Sequence, residues 1–235
     1  LVLKRSKPKK HVVRTFRQLI TYLQPKSPIT EQYRNIRTNI QFAAVDGDIH
    51  SIVVTSSTPG EGKTTTAANL GVVFAQQGKQ VIVVDADFRR PTLHTMFRSE
   101  NTFGLTTVLA KQATLSKCIL QTEVENLKFL PSGAIPPNPA ELLGSKTMDD
   151  VMAQLKETFD IIILDTPPLL AVTDAQVLSN KCDGTVLVVR SGKADKDSVL
   201  KVKAQLTNAR AKLLGVVLNA KAEETTPYYY YSDRE

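Results

Sequence analysis

A chain of 235 residues, 42% hydrophobic and 23% charged, can bury one full α/β core and has the balance of an ordinary globular protein. No apolar run approaches the roughly 18 residues of a membrane span, and the N-terminus lacks the apolar centre of a secretory signal. Cys118 and Cys182 form neither a disulfide framework nor a metal spacing, which fits a reducing cytoplasm.

The net charge of +7 is carried by the front of the chain. Residues 1–27 hold eight Lys/Arg and no Asp or Glu, against 22 basic and 23 acidic residues in the remainder. This segment reads as a flexible basic arm. It is either a solvated tail or a surface for nucleic acid, anionic membrane or an acidic partner. The chain opens on Leu rather than Met, so the expectation is either that residue 1 is not the natural start or that the start codon is non-standard. Next, Glu31, Arg34 and Arg37 recur every three residues, a spacing that lines them along one side of a helix.

From Ser51 onward, apolar strands alternate with helical stretches. The pattern predicts strands over 51–56, 80–85, 127–131, 160–165, 184–190 and 213–218. It predicts helices over 62–78, 91–98, 104–111, 139–157, 173–180 and 194–209. Runs such as VIVV, IIIL and VLVV are unbroken, as in parallel strands buried on both faces. The expected fold is α/β: a single doubly wound domain with a mostly parallel sheet, flanked by helices and binding its ligand at the carboxyl ends of the strands.

Between the first strand and its helix lies Ser57-Thr58-Pro59-Gly60-Glu61-Gly62-Lys63-Thr64. Strand, glycine-rich turn and helix form the setting of a phosphate-binding loop. Gly60 and Gly62 let backbone amides approach phosphate oxygens, and the helix N-terminus adds partial positive charge. Lys63 is placed for the β- and γ-phosphates and the Thr64 hydroxyl for Mg²⁺, so ATP and Mg²⁺ are the expected ligands. Pro59, Gly60, Glu61, Gly62, Lys63, Thr64 and Thr65 make up the nucleotide-binding stretch. The usual pattern opens on Gly where this chain has Ser57, a small residue the loop is expected to accommodate.

Two acidic strand ends follow. Asp85 and Asp87 close the run VIVVDAD, and Asp165 closes IIILD. At that edge of an open sheet, one carboxylate can organise a metal's water shell and another can take a proton from an attacking group. The plainer alternative is carboxylates in loops. Asn219 ends the last strand, either as a turn residue or as an amide matching the two-sided edge of adenine. Beyond it, Tyr228, Tyr229, Tyr230 and Tyr231 lie between Thr225-Thr226-Pro227 and Ser232-Asp233-Arg234-Glu235. These polar flanks suit an accessible tail better than a packed core.

Together these motifs resemble the bacterial tyrosine kinases, a phosphate-loop family unrelated to eukaryotic protein kinases. The resemblance covers roughly 27–231: Walker A at Ser57–Thr64, Walker A′ at VVDADFRRP, Walker B at IIILDTPP, ExxRxxR at Glu31–Arg37 and the tyrosine cluster. It implies a kinase domain over 28–222 and a tyrosine-rich tail over 223–235, and leaves the basic arm over 1–27, read from charge alone, uncovered. In the roles it assigns, Lys63, Asp85, Asp87 and Asp165 are catalytic, with Asp87 activating the tyrosine hydroxyl. Thr64, Asp85 and Asp165 organise Mg²⁺, and Asn219 joins the ATP-binding residues. Glu31, Arg34 and Arg37 make subunit contacts in a ring, and Tyr228 to Tyr231 are autophosphorylated in trans.

The implied partners are a membrane adaptor of polysaccharide co-polymerase type, further copies of the chain, a cognate tyrosine phosphatase and protein substrates. Nucleic acid is not among them. The implied setting is capsular or exopolysaccharide synthesis, at the inner face of the cell membrane through the adaptor. The main competing reading is a switch ATPase of the kind that positions septa and plasmids. Its loop carries an extra lysine where this chain has Thr58. A basic DNA- or membrane-binding module is a third reading, supported only by the arm.

Overall fold

The computed structural model describes residues 19–43 and 48–221. The basic residues ahead of Leu19 and the tyrosines 228–231 lie outside the described residues. In chain order the elements are α1 (Ile20–Leu23), α2 (Pro28–Phe42), β1 (Ser51–Ser56), α3 (Lys63–Ala75), β2 (Val81–Asp85), α4 (Leu93–Met96), α5 (Leu105–Leu109) and α6 (Leu115–Cys118). They continue with β3 (Leu120–Gln121), β4 (Leu127–Leu130), α7 (Pro139–Gly144), α8 (Lys146–Thr158), β5 (Ile161–Asp165), α9 (Asp174–Lys181), β6 (Gly184–Arg190), α10 (Lys196–Asn208) and β7 (Leu213–Asn219).

The strands form one sheet in the order β3-β4-β2-β5-β1-β6-β7. All neighbours run parallel except β3, which is antiparallel to β4. Unbroken β-branched runs suit this arrangement because both faces of the central strands are covered. Ile52 and Val54 of β1 join one core beneath α3, while Val53 joins the other beneath α5 and α8. From β1 the chain steps over β5 to β2 on one side, and β6 and β7 fill the other. The crevice at that reversal opens at the carboxyl end of β1, where the phosphate loop sits.

Three departures from the sequence pattern have physical causes. The arm expected over 1–27 is packed from Leu19 onward. Thr21 is fully buried, its N–H and hydroxyl donating to Asn69 Oδ1 at 3.1 and 2.7 Å while its carbonyl accepts from Gln76 Nε2 at 3.0 Å. This strap and α2 cover the outer side of α3, so α3 is buried nearly all round rather than along the one apolar stripe of an ordinary surface helix. Finally, the helix expected over 139–157 is two helices. Ser145 is extended (ψ 156°), and its hydroxyl donates to Leu142 O while accepting from Met148 N, closing α7 and capping α8.

Candidate active site

The phosphate loop leaves β1 at Ser56 and enters α3 at Lys63. Gly60 (φ 79°) and Gly62 (φ 100°) are left-handed, a conformation that glycine adopts without strain. Ser57, at the position usually held by Gly, is fully buried and donates its hydroxyl to Glu61 Oε2 at 2.7 Å. The same oxygen accepts the Thr58 amide at 2.8 Å. Glu61 therefore folds back and clamps the loop from within, which explains how Ser57 is accommodated.

Lys63, the first residue of α3, points across the crevice to the ends of β2 and β5. Its ammonium lies 2.8 Å from Asp87 Oδ2, 3.4 Å from Asp165 Oδ1 and 3.3 Å from the Thr64 hydroxyl. Burial works against this ammonium, but Asp165 and Asp87 more than offset it and hold its pKa above the ordinary lysine value. Asp85 and Asp165 are direct partners in the β2–β5 register. Burial, reinforced by Asp165, pushes the Asp85 carboxyl well up; burial also raises Asp165, although Lys63 draws it back. Strands that end side by side thus bring Lys63, Asp85, Asp87 and Asp165 together.

The carboxylates are not equivalent. Asp85 accepts the amides of Asp87 (3.2 Å) and Leu93 (3.1 Å), so it braces the turn that carries Asp87. Asp87 accepts the Arg90 amide at 3.1 Å through Oδ1 and presents Oδ2 to Lys63. In Asp165, Oδ2 is buried with no hydrogen-bond partner among the described residues. An orphaned carboxylate oxygen close to the Lys63–Thr64 start of the helix fits a hard divalent cation. No group of three or more His, Cys, Asp or Glu among the described residues could hold a metal unaided. Mg²⁺ here would draw on Thr64, Asp165, water and substrate phosphates.

Lys63, Thr64 and Asp87 border a cavity of about 450 Å³, lined among others by Thr65, Arg89, Pro167 and Pro168. Another cavity, of about 520 Å³ beside α5 and α7, includes none of the phosphate-loop residues. Sequence spacing gave Arg89 no role. Its guanidinium is held by the fully buried Asp174 through two bonds of 3.0 Å, Nε to Oδ2 and Nη2 to Oδ1. These partners are 85 residues apart, and no local pattern joins them.

The remaining expected residues are placed as follows. Asn219 lies at the phosphate loop, donating Nδ2 to Glu61 O at 2.8 Å and accepting the Ala220 amide at 2.8 Å. Reading an adenine edge would require it to exchange those bonds. On α2, Glu31 and Arg34 pair with each other at the surface. Arg37 instead turns inward and donates to Val73 O in the last turn of α3 at 2.6 Å. Burial, reinforced by Arg34, lowers its pKa. The row therefore presents two outward residues and one that ties α2 to α3.

A family model described as an AAA domain (AAA_31) matches residues 49–217. Tyrosine-protein kinase YwqD of Bacillus subtilis (strain 168) is 50% identical over 220 residues, covering 93% of this chain and 93% of that protein. The crystal structure of the chimerical protein CapA2B2 aligns with a TM-score of 0.85 at 46% identity, covering 88% of this chain and 92% of that one. The kinase domain of Escherichia coli tyrosine kinase ETK aligns with a TM-score of 0.83 at 31% identity, covering 90% and 84%.

Proposed function

This chain belongs to the bacterial tyrosine-protein kinases, and we propose that it transfers the γ-phosphoryl group of ATP to tyrosines 228–231 of a second copy of itself. The observation that carries this reading is the Lys63–Asp87 contact of 2.8 Å at the lip of the loop-lined cavity. As Lys63 moves its ammonium onto phosphate oxygens, it leaves Asp87 Oδ2 free to accept a proton.

The tyrosine oxygen then attacks the γ-phosphorus. The new O–P bond forms as the bond to the β-phosphate oxygen breaks, ADP leaves, and the phenolic proton passes to Asp87. A free phenol has a pKa near ~10, so a desolvated base beside the attacking oxygen matters. Arg89, fixed by Asp174, borders the same cavity and can face developing negative charge. Bound Mg²⁺ would neutralise phosphate charge from the Thr64–Asp165 side.

The wider setting rests on the family resemblance. The kinase assembles as a ring in which Glu31 and Arg34 reach a neighbouring subunit. A membrane adaptor of the polysaccharide co-polymerase type recruits and activates it, and a cognate phosphatase reverses its modification. The output is control of capsular or exopolysaccharide synthesis. Basic residues of the N-terminal segment add attraction to anionic lipid, about 1 kcal/mol for each one near the surface. Among the described residues no helix is long and apolar enough to cross a membrane. Added tail phosphates, each about −1.5 to −2 charges, would repel one another and loosen the ring.

Incubating the purified chain with labelled ATP and Mg²⁺ tests the core of this reading. Phosphotyrosine confined to residues 228–231, and lost when all four are changed to Phe, is the expected outcome. Release of inorganic phosphate without phosphotyrosine would favour the switch ATPase instead.

A further inference from the structure

The phosphate loop is gripped from outside by side chains that its motif does not contain. Lys193 Nζ donates to Pro59 O at 2.8 Å, Arg190 Nη1 to Gly60 O at 3.4 Å and Asn219 Nδ2 to Glu61 O at 2.8 Å. Three consecutive carbonyls of the loop are thus each held by a different residue. Arg190 and Asn219 end β6 and β7 and Lys193 lies in the turn just after β6, so all three donors sit across the sheet from Asp85 and Asp87.

A trans peptide plane points its C=O and the following N–H in opposite directions. Pinning the carbonyls of 59, 60 and 61 therefore aims the amides of Gly60, Glu61 and Gly62 the other way. None of those amides donates to another group among the described residues. Successive amides turned to one side make a concave anion site. Pro59, Gly60 and Gly62 all line the cavity described above.

The grip is close as well as ordered. A Cβ on Gly62 would fall 2.1 Å from Asn219 Nδ2, and one on Gly60 would fall 3.1 Å from Lys193 Nζ. Both glycines serve the left-handed turn and also leave room for the side chains that press on the loop. Two of the three pins are cations, yet each spends its charge on a carbonyl.

We propose that Lys193, Arg190 and Asn219 are positioning residues that hold the phosphate loop in its anion-binding shape through the carbonyls of Pro59, Gly60 and Glu61. This rests on the reading of the cavity as the ATP site. It gives Asn219 a task at the phosphates rather than at the base. Lys193 and Asn219, with the shorter bonds, contribute more than Arg190.

The test is binding of a fluorescent ATP analogue, competed with ATP and, separately, with inorganic tripolyphosphate, which has no base. Lys193→Met and Asn219→Ala should each weaken ATP about 5–10-fold, and Arg190→Met about 2–3-fold. Tripolyphosphate should weaken in parallel. In the kinase assay KM for ATP rises while kcat at saturation stays within about twofold. Lys193→Arg, which keeps the charged donor, restores most of the loss, and melting without nucleotide is unchanged for the exposed Lys193.

Two outcomes overturn the proposal: unchanged binding of both competitors, or loss of ATP affinity with tripolyphosphate unaffected, which would make these residues readers of the base. Failure of the kinase reading is distinct, because it appears as absent phosphotyrosine in the unaltered chain.

Discussion

Replacing Lys63 with Met removes an ammonium from among buried carboxylates while keeping a side chain of similar length. In the native site Nζ lies 2.8 Å from Asp87 and 3.4 Å from Asp165, with Asp85 beside Asp165 in register. Removing one partner of a buried pair costs about 3–5 kcal/mol, because the remaining charge is left uncompensated. The carboxylates have an escape: each can bind a proton, and burial already pushes Asp85 and Asp165 in that direction. We therefore expect a loss of about 2–4 kcal/mol at pH 8, a fall in Tm of roughly 4–16 °C for a domain of this size.

Without Lys63, folded-state carboxyl pKa values rise further above the unfolded ones. The folded variant then binds more protons than its unfolded chain over the intervening pH range, and gains stability as pH falls. The deficit relative to the unaltered protein should narrow between pH 8 and pH 5.5. Thermal melts followed by circular dichroism at both pH values, with labelling by ATP on the same samples, provide the measurement. Labelling should be absent throughout, and Lys63→Met combined with Asp165→Asn should recover stability without activity. A deficit equal at both pH values, or larger at pH 5.5, would refute the assignment of Lys63 as counter-charge to these carboxylates.

Two other substitutions probe the chemistry and the packing behind it. Asp87→Asn should lower kcat for tyrosine phosphorylation by about 10²–10⁴-fold while ATP affinity in a binding titration moves by less than about threefold; an unchanged kcat would remove Asp87 as the base. Gly71→Ala puts a Cβ 2.5 Å from Val83 Cγ2, where α3 presses on β2, and should cost about 1–3 kcal/mol in urea unfolding; native-like stability would show that α3 can shift off the sheet.

What was legible in the sequence followed from short-range pattern. The apolar runs gave six strands whose ends fall within a residue of those observed, because parallel strands buried on both faces leave a continuous signal. The two-residue β3 has no period to detect. Ser145 was hidden inside a helix-compatible stretch, since its capping role depends on an extended backbone that composition does not reveal. Burial of α3 on its outer side depends on the strap at Leu19–Leu23, whose fully buried residue is a polar Thr21 that no hydrophobic pattern would select.

The site divides along the same line. The meeting of Lys63, Asp87 and Asp165 was legible because strand ends converge on one edge of a parallel sheet, so a motif at each end implies a meeting place. Their support came from residues far off in sequence: Asp174 holds Arg89 across 85 positions, Lys193 reaches Pro59 across 134, and Asn219 reaches Glu61 across 158. Strand order decides which of these meet. Because β6 lies directly beside β1, with β7 next, the last third of the chain returns to the first loop. A phosphate loop is usually described by its own eight residues. Here its carbonyls are held by the end of the sheet that the motif does not contain, so a substitution 134 residues downstream should act on ATP affinity as directly as one within the loop.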